Sequence, residues 1–253
     1  MSWNDEWINL KKVLKNGTTG EKLDYIWTYY KWQICIAAFV VAFICGMFYY
    51  GFSGNDYVLS GVLLGTNGNS AAAVKLKEDF LRDKPIGDPE DIFMDASALF
   101  ALGAGEMNPG ISFEAKQTLM ARIAAGEVDF MIAEQAELCN YAYNYCLCEL
   151  SQVLTAEQMK KYEPYFLYYD RAVLKEIENA DLPVEGAQKI QIPDPTKPED
   201  MEEPVPVMLD VGIHTKLSEL YPNASKSYAM AFVVNGTNAN NVVEWLDYLL
   251  SAE

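Results

Sequence analysis

From Trp32 to Asn55 the chain carries no charged residue, and from Ile34 to Tyr50 it is apolar. A helix of about 17 to 21 such residues is roughly 26 to 31 Å long, close to the hydrocarbon thickness of a bilayer. This predicts a transmembrane helix over residues 32–52. Trp27, Tyr29, Tyr30 and Trp32 stand at one end and Phe48, Tyr49, Tyr50 and Phe52 at the other, where amphipathic rings favour the headgroup zone. Lys11, Lys12, Lys15, Lys22 and Lys31 precede the span, and no Lys or Arg follows it before Lys75. The positive-inside rule then places the N-terminus in the cytoplasm and the C-terminal part outside it, in a single-pass protein of the cell membrane. A signal peptide has an apolar region of about 7 to 15 residues after a short basic start, unlike this long lead-in. Phe43 and Ile44 also occupy the positions where a lipoprotein signal would need a small residue before Cys45. An uncleaved anchor is expected.

The flanking regions differ in charge. The first 55 residues hold five Lys and four carboxylates, whereas the remainder holds 14 basic against 32 acidic residues. Acidity therefore belongs to the outer part, which should repel nucleic acid and anionic lipid and be soluble. Trp3, Trp7, Leu10 and Leu14 recur at helical spacing opposite Lys11, Lys12 and Lys15, so residues 1–31 are expected to form a cytoplasmic amphipathic and juxtamembrane segment. Helix should resume from Glu21 into the span.

Residues 56–253 read as alternating strand and helix. Strands are expected at Val58–Leu64, Asp91–Met94, Val128–Ala133, Tyr165–Tyr169, Met208–Ile213 and Tyr228–Val234. Helices are expected at Ala71–Arg82, Phe113–Ala125, Glu134–Tyr143 and Ala156–Tyr162, the last opened by a Thr155/Gln158 capping box. Asn240 is expected to cap a final helix to Leu250, and the Pro-rich acidic segment 183–206 to be a surface loop. Such alternation signals parallel βαβ units, with Val58–Leu64 and Val128–Ala133 as central parallel strands. The predicted fold class is α/β with a mostly parallel sheet.

In open α/β sheets, ligands bind outside the carboxyl ends of parallel strands. Polar residues gather after the proposed strands: Thr66, Asn67 and Asn69; Asp95 and Ser97; Glu134 and Gln135; and Asn235. Convergence of these residues on one cleft is the expected ligand site. Asn, Ser and Gly are also ordinary turn and cap formers, which is the competing reading. Tyr165, Phe166, Tyr168 and Tyr169 offer stacking surface or core. Asp129 fits a turn or cap carboxylate better than a catalytic one. One His, no metal-ligand spacing and no nucleophile elbow favour a non-catalytic protein without cofactor or metal. Cys139, Cys146, Cys148 and His214 match no standard zinc knuckle, and a Cys139–Cys146 bridge requires the helix between them to break.

Ala124-Ala125-Gly126 ending a helix, Asp129 leading into Phe130–Ala133, a following helix and the Glu149-Leu150 turn form a stretch that resembles the first lobe of extracellular solute-binding proteins of ABC importers. Asn235 followed by an amphipathic terminal helix is similar to the end of that lobe. The juxtamembrane run Glu21 to Trp32 resembles the start of single-span proteins of anaerobic Gram-positive bacteria that carry such a domain. The resemblance implies a periplasmic-binding-protein-like fold with a shortened second lobe, and a cleft between lobes. The expected role is membrane-anchored capture or sensing of a small solute such as a sugar, peptide or cation, with a membrane or transporter partner. A degenerate binding fold serving as a protein interaction module, and an anchored hydrolase, are the alternatives.

Overall fold

The computed structural model describes residues 18–52, 57–97, 113–179, 191–212, 215–221 and 226–251. The expected amphipathic helix around Trp3–Lys15 and His214 lie outside these residues. The chain divides into two compact units, 1–56 and 57–253.

The first unit contains α1, Thr19–Phe52. Within it, the 18 residues Tyr30–Met47 have a mean hydropathy of 1.7, long and apolar enough to cross a membrane. None of that stretch is buried within the protein, as the core helix of a soluble fold would be. Helix begins before Glu21, as Thr18 accepts from the Lys22 N–H at 3.0 Å.

The second unit is an α/β domain around one six-stranded sheet. Its strands are β1 (Leu59–Leu63), β2 (Ile92–Asp95), β3 (Phe130–Glu134), β4 (Phe166–Asp170), β5 (Pro204–Asp210) and β6 (Tyr228–Phe232), in the spatial order β2-β1-β3-β6-β5-β4. β1 pairs in parallel with both β2 and β3, so the two central parallel strands are as expected. The other three pairings are antiparallel. The sheet is thus mixed rather than uniformly parallel: β5 shares the direction of the first three strands, while β6 and β4 oppose it. Hydropathy specified which residues are strand but not which way a strand runs, because either direction buries the same side chains.

Seven helices accompany the sheet among the described residues of this unit: α2 (Ser70–Asp83), α3 (Phe113–Ala124), α4 (Gln135–Ala142), α5 (Leu150–Val153), α6 (Ala156–Tyr162), α7 (Arg171–Asn179) and α8 (Ala239–Leu250). Alternation along each strand splits the core into two layers. Leu59, Leu63, Phe130, Ile132, Met230 and Phe232 pack with α2, α5, α6 and α8. Val62, Met131, Ala133, Met208 and Ala231 pack with α3, α4 and α7 on the opposite face. Gly61 is required beneath Phe130, since a Cβ there would lie 2.1 Å from the ring.

Local signals placed most helix ends. The Thr155/Gln158 capping box is present and opens α6. Asn69 caps α2 by accepting from the Ala72 N–H at 3.2 Å. The last helix starts earlier than expected: Asn238 precedes it and Asn240 lies inside it. Its Asn238 side chain is committed elsewhere, as described below. Of the Pro-rich segment 183–206, residues 183–190 lie outside the described residues, and 191–203 are loop with one 3₁₀ turn, Pro198–Asp200. Pro204–Pro206 instead belong to β5, a correction to the expected loop boundary. These prolines pair with β4 beside a register shift at Leu167/Tyr168, whereas β5 meets β6 only at Leu209 and Asp210, so their missing N–H groups break no ladder with β6.

Candidate functional site

The carboxyl ends of β1, β2 and β3 collect most of the expected site residues. Gly65 and Gly68 take positive φ values of 69° and 73°, which turn the chain sharply after β1. Thr66, buried, accepts from the Gly68 N–H at 3.2 Å and its hydroxyl lies 3.5 Å from the Ala96 carbonyl. Asn67 Oδ1 accepts from the Asn69 N–H at 3.0 Å. Asp95 accepts from the Ser97 N–H at 3.1 Å and from Arg122 at 2.8 Å, and that guanidinium lies 5.0 Å from the Phe93 ring centre. Thr66, Asn67, Asn69, Asp95 and Ser97 are therefore neighbours at one end of the sheet. Glu134 ends β3 and Gln135 follows it at the same end, where Glu134 pairs with Lys226 and Gln135 N–H donates to the Ser227 carbonyl at 2.9 Å.

The space between these groups is occupied by the chain itself. Asn67 donates its N–H to the Leu220 carbonyl at 3.0 Å and its amide Nδ2 to the Glu219 carbonyl at 2.9 Å. Lys75 pairs with Glu219 at 2.6 Å. Leu217, Leu220 and Tyr221 are buried, and the Tyr221 hydroxyl donates to the Ile132 carbonyl at 3.1 Å. The cause is topological. Because β6 runs antiparallel to β3, the chain that enters it arrives over the carboxyl end of β3, where a parallel neighbour would have left a crevice. Asp95 and Ser97 still border a hollow of about 180 Å³ beside Ala73, Val74 and Lys77.

Asn235 does not join the others. It follows β6, whose reversed direction carries it to the opposite end of the sheet, where its Nδ2 lies 3.5 Å from the Ile123 carbonyl. Its φ of 65° makes the turn toward α8. That end is organised by Asp129, a buried carboxylate that accepts from Ser60 N–H (2.8 Å), Thr237 N–H (3.0 Å), Asn238 N–H (3.1 Å) and Asn238 Nδ2 (3.1 Å). Asn238 Nδ2 also donates to the Tyr57 carbonyl, and Asn241 Nδ2 to the Val58 carbonyl. The sequence reading of Asp129 as a cap carboxylate fits this role, but it gave no sign that three distant segments meet there.

Burial shifts the remaining reactive groups. Burial, with the charge of Asp194, pushes the Cys139 thiol up to about 11, and burial also raises Cys146 and Cys148. All three are free thiols, although α4 does end between Cys139 and Cys146. Burial also raises the Glu137 carboxyl, followed in opposing sense by Lys116. Among the described residues no cluster of His, Cys, Asp and Glu could hold a metal ion. Of the four candidate stacking residues, Tyr169 is buried, Phe166 and Tyr168 are half-buried, and Tyr165 is the exposed one.

No family model matches the chain, and no curated protein matches it. Among solved structures, the apo-form of RafE from Streptococcus pneumoniae is similar at 16% identity over 52% of this chain and 35% of that one, with a TM-score of 0.22. This chain thus spans about a third of the length of that protein, and so low a score carries no argument about fold or function.

Proposed function

We propose that the chain is a single-span membrane protein with a cytoplasmic N-terminus, and that its outer α/β domain is a non-catalytic recognition module in a cell-envelope complex. The observation that carries this reading is the filling of the sheet's crevice by Leu217–Tyr221, tied to Asn67 and Ile132. A domain whose own chain fills the crevice of its sheet is left with its outer surface for recognition. The apolar span and the run of lysines before it support the anchor and its orientation. The acidity of the outer domain suits neither nucleic acid nor an anionic membrane surface as partner.

A membrane-impermeant, amine-reactive cross-linker applied to intact cells tests both parts. The outer lysines should react and place the chain in a discrete larger species with another envelope protein. A chain untouched by the reagent would overturn the orientation, and a labelled chain that stays monomeric at every dose would overturn the module.

Capture of a small solute at the sheet end is the second reading, favoured by the 180 Å³ hollow that Asp95 and Ser97 line beside Lys77, with Thr66 next to it through the Ala96 carbonyl. It requires a ligand whose stabilisation of the full-length protein against heat disappears in Asp95→Ala.

A further inference from the structure

A second cleft, of about 660 Å³, lies at the C-terminal end of α2, bounded by that end, by α6 with the turn after it, and by the last turn of α8. Its volume falls in the range that small-molecule sites occupy, about 300 to 1,000 Å³. Lys84, Lys161, Asp83 and Asp247 line it, together with Tyr165 and Leu250. The geometry points to a binding site for a small zwitterion with an aromatic or apolar side group, of the class of an amino acid or dipeptide.

The lining sets two ammonium groups against two carboxylates, with Glu244 beside Lys84 as its partner. A ligand carrying one of each sign meets both signs locally. Lys84 pairs with Glu244 at 2.8 Å and Lys161 pairs with Asp247, and both pairs are partly solvent-exposed. Pairs open to water contribute little, so a ligand carboxylate displaces little by taking over the ammonium groups. Asp247 keeps a fixed partner when Lys161 turns away, because the Tyr162 hydroxyl donates to it at 2.7 Å and Tyr162 is itself buried. The ligand's ammonium group is served by the Asp83 carboxylate, since the Tyr248 and Ser251 carbonyls at the end of α8 already accept from Lys216 at 2.6 and 2.9 Å.

Two further features select the class. The acidic domain repels a net anion at long range and draws a net cation to its whole surface, whereas a neutral zwitterion responds only to a local pair of opposite charges. Tyr165, 37% exposed at the rim, and Leu250 offer a face for a ring or an aliphatic group. The site is separate from the sheet end.

Calorimetric titration of the full-length protein in detergent with glycyl-tyrosine tests the assignment, with tyramine as the cationic and N-acetyl-tyrosine as the anionic control. Glycyl-tyrosine should bind saturably. Either control, and Lys161→Gln with glycyl-tyrosine, should bind at least about tenfold more weakly, equivalent to about 1.4 kcal/mol. Tyr165→Ala should weaken binding several-fold while Asp95→Ala leaves it unchanged, and an unaltered melting temperature certifies each variant as folded. Absence of saturable binding to the wild type, or equal affinity in Lys161→Gln, overturns the site. A loss confined to Asp95→Ala would move the ligand to the sheet end instead. Should Lys161→Gln fail to fold, the two single-charge controls on the wild type still decide, since equal affinity for all three probes removes the zwitterion.

Discussion

The half of the sheet formed by β2, β1 and β3 sends all its carboxyl ends to one side, and the polar loops that follow lie together there. The half formed by β6, β5 and β4 reverses direction at every step, and its loops alternate between the two ends. Where the halves meet, at the β3–β6 pairing, both consequences appear at once. The incoming chain covers the parallel crevice, and the outgoing chain delivers Asn235, Thr237 and Asn238 to the far end, where Asp129 holds the last two. A sequence pattern that gathers polar loops at one end of a fully parallel sheet therefore divides them between two ends once an antiparallel strand is inserted beside the central one.

The largest effect should come from the far end. Asp129→Ala removes the shared acceptor of Ser60, Thr237 and Asn238 and leaves buried N–H groups without partners, at a cost of about 3 to 5 kcal/mol. Urea unfolding followed by tryptophan fluorescence measures it, and a loss below about 1 kcal/mol would show that the junction is not held there.

An intermediate effect belongs to the antiparallel half. Asp170, buried at the end of β4, accepts from Ala172, Glu202 and Glu203 N–H groups at 2.9, 2.8 and 3.0 Å. Burial pushes its carboxyl up, but these N–H groups outweigh it and the net direction is down. A folded value below the unfolded one, about 3.9, gives stability that is complete above about pH 4 and is lost as pH falls through the folded value. Asp170→Asn should cost about 1 to 3 kcal/mol at neutral pH and flatten the decline in urea midpoint below about pH 4. A variant that keeps the wild-type acid slope would contradict this.

The smallest effect should be at the covered crevice. Asn67→Ala gives up the bonds to the Glu219 carbonyl and the Asn69 N–H, for about 1 kcal/mol, with its own N–H to Leu220 retained. A loss as large as that of Asp129→Ala would mean that the two ends are equally important, and would erase the contrast.

What was legible in the sequence was local. Val62 and Met131 fall in strands because short apolar runs say so, and Thr155 opens α6 because its capping box is written within four residues. Thr66 and Asn69 were correctly placed beyond a strand end, and their use as turn and cap follows from the same chemistry that suggested a ligand. Nothing local in Tyr228–Phe232 states that this strand opposes β3, and from that one fact follow both the covered crevice and the displacement of Asn235. Asn238 was missed as the start of α8 because its amide answers to Asp129 and Tyr57, over 100 residues away in sequence, rather than to its own helix.

The position of β6 also bears on the order in which the domain is completed. It is the last strand to be synthesised, yet it alone links β3 to β5 and so joins the two halves into one sheet. Asn238 and Asn241 then fasten Tyr57 and Val58, 181 and 183 residues earlier. A chain released up to residue 227 has two separate three- and two-stranded pieces with open edges, and contacts of this sequence separation close slowly. Such a design defers closure of the sheet until nearly all of the domain's chain is available.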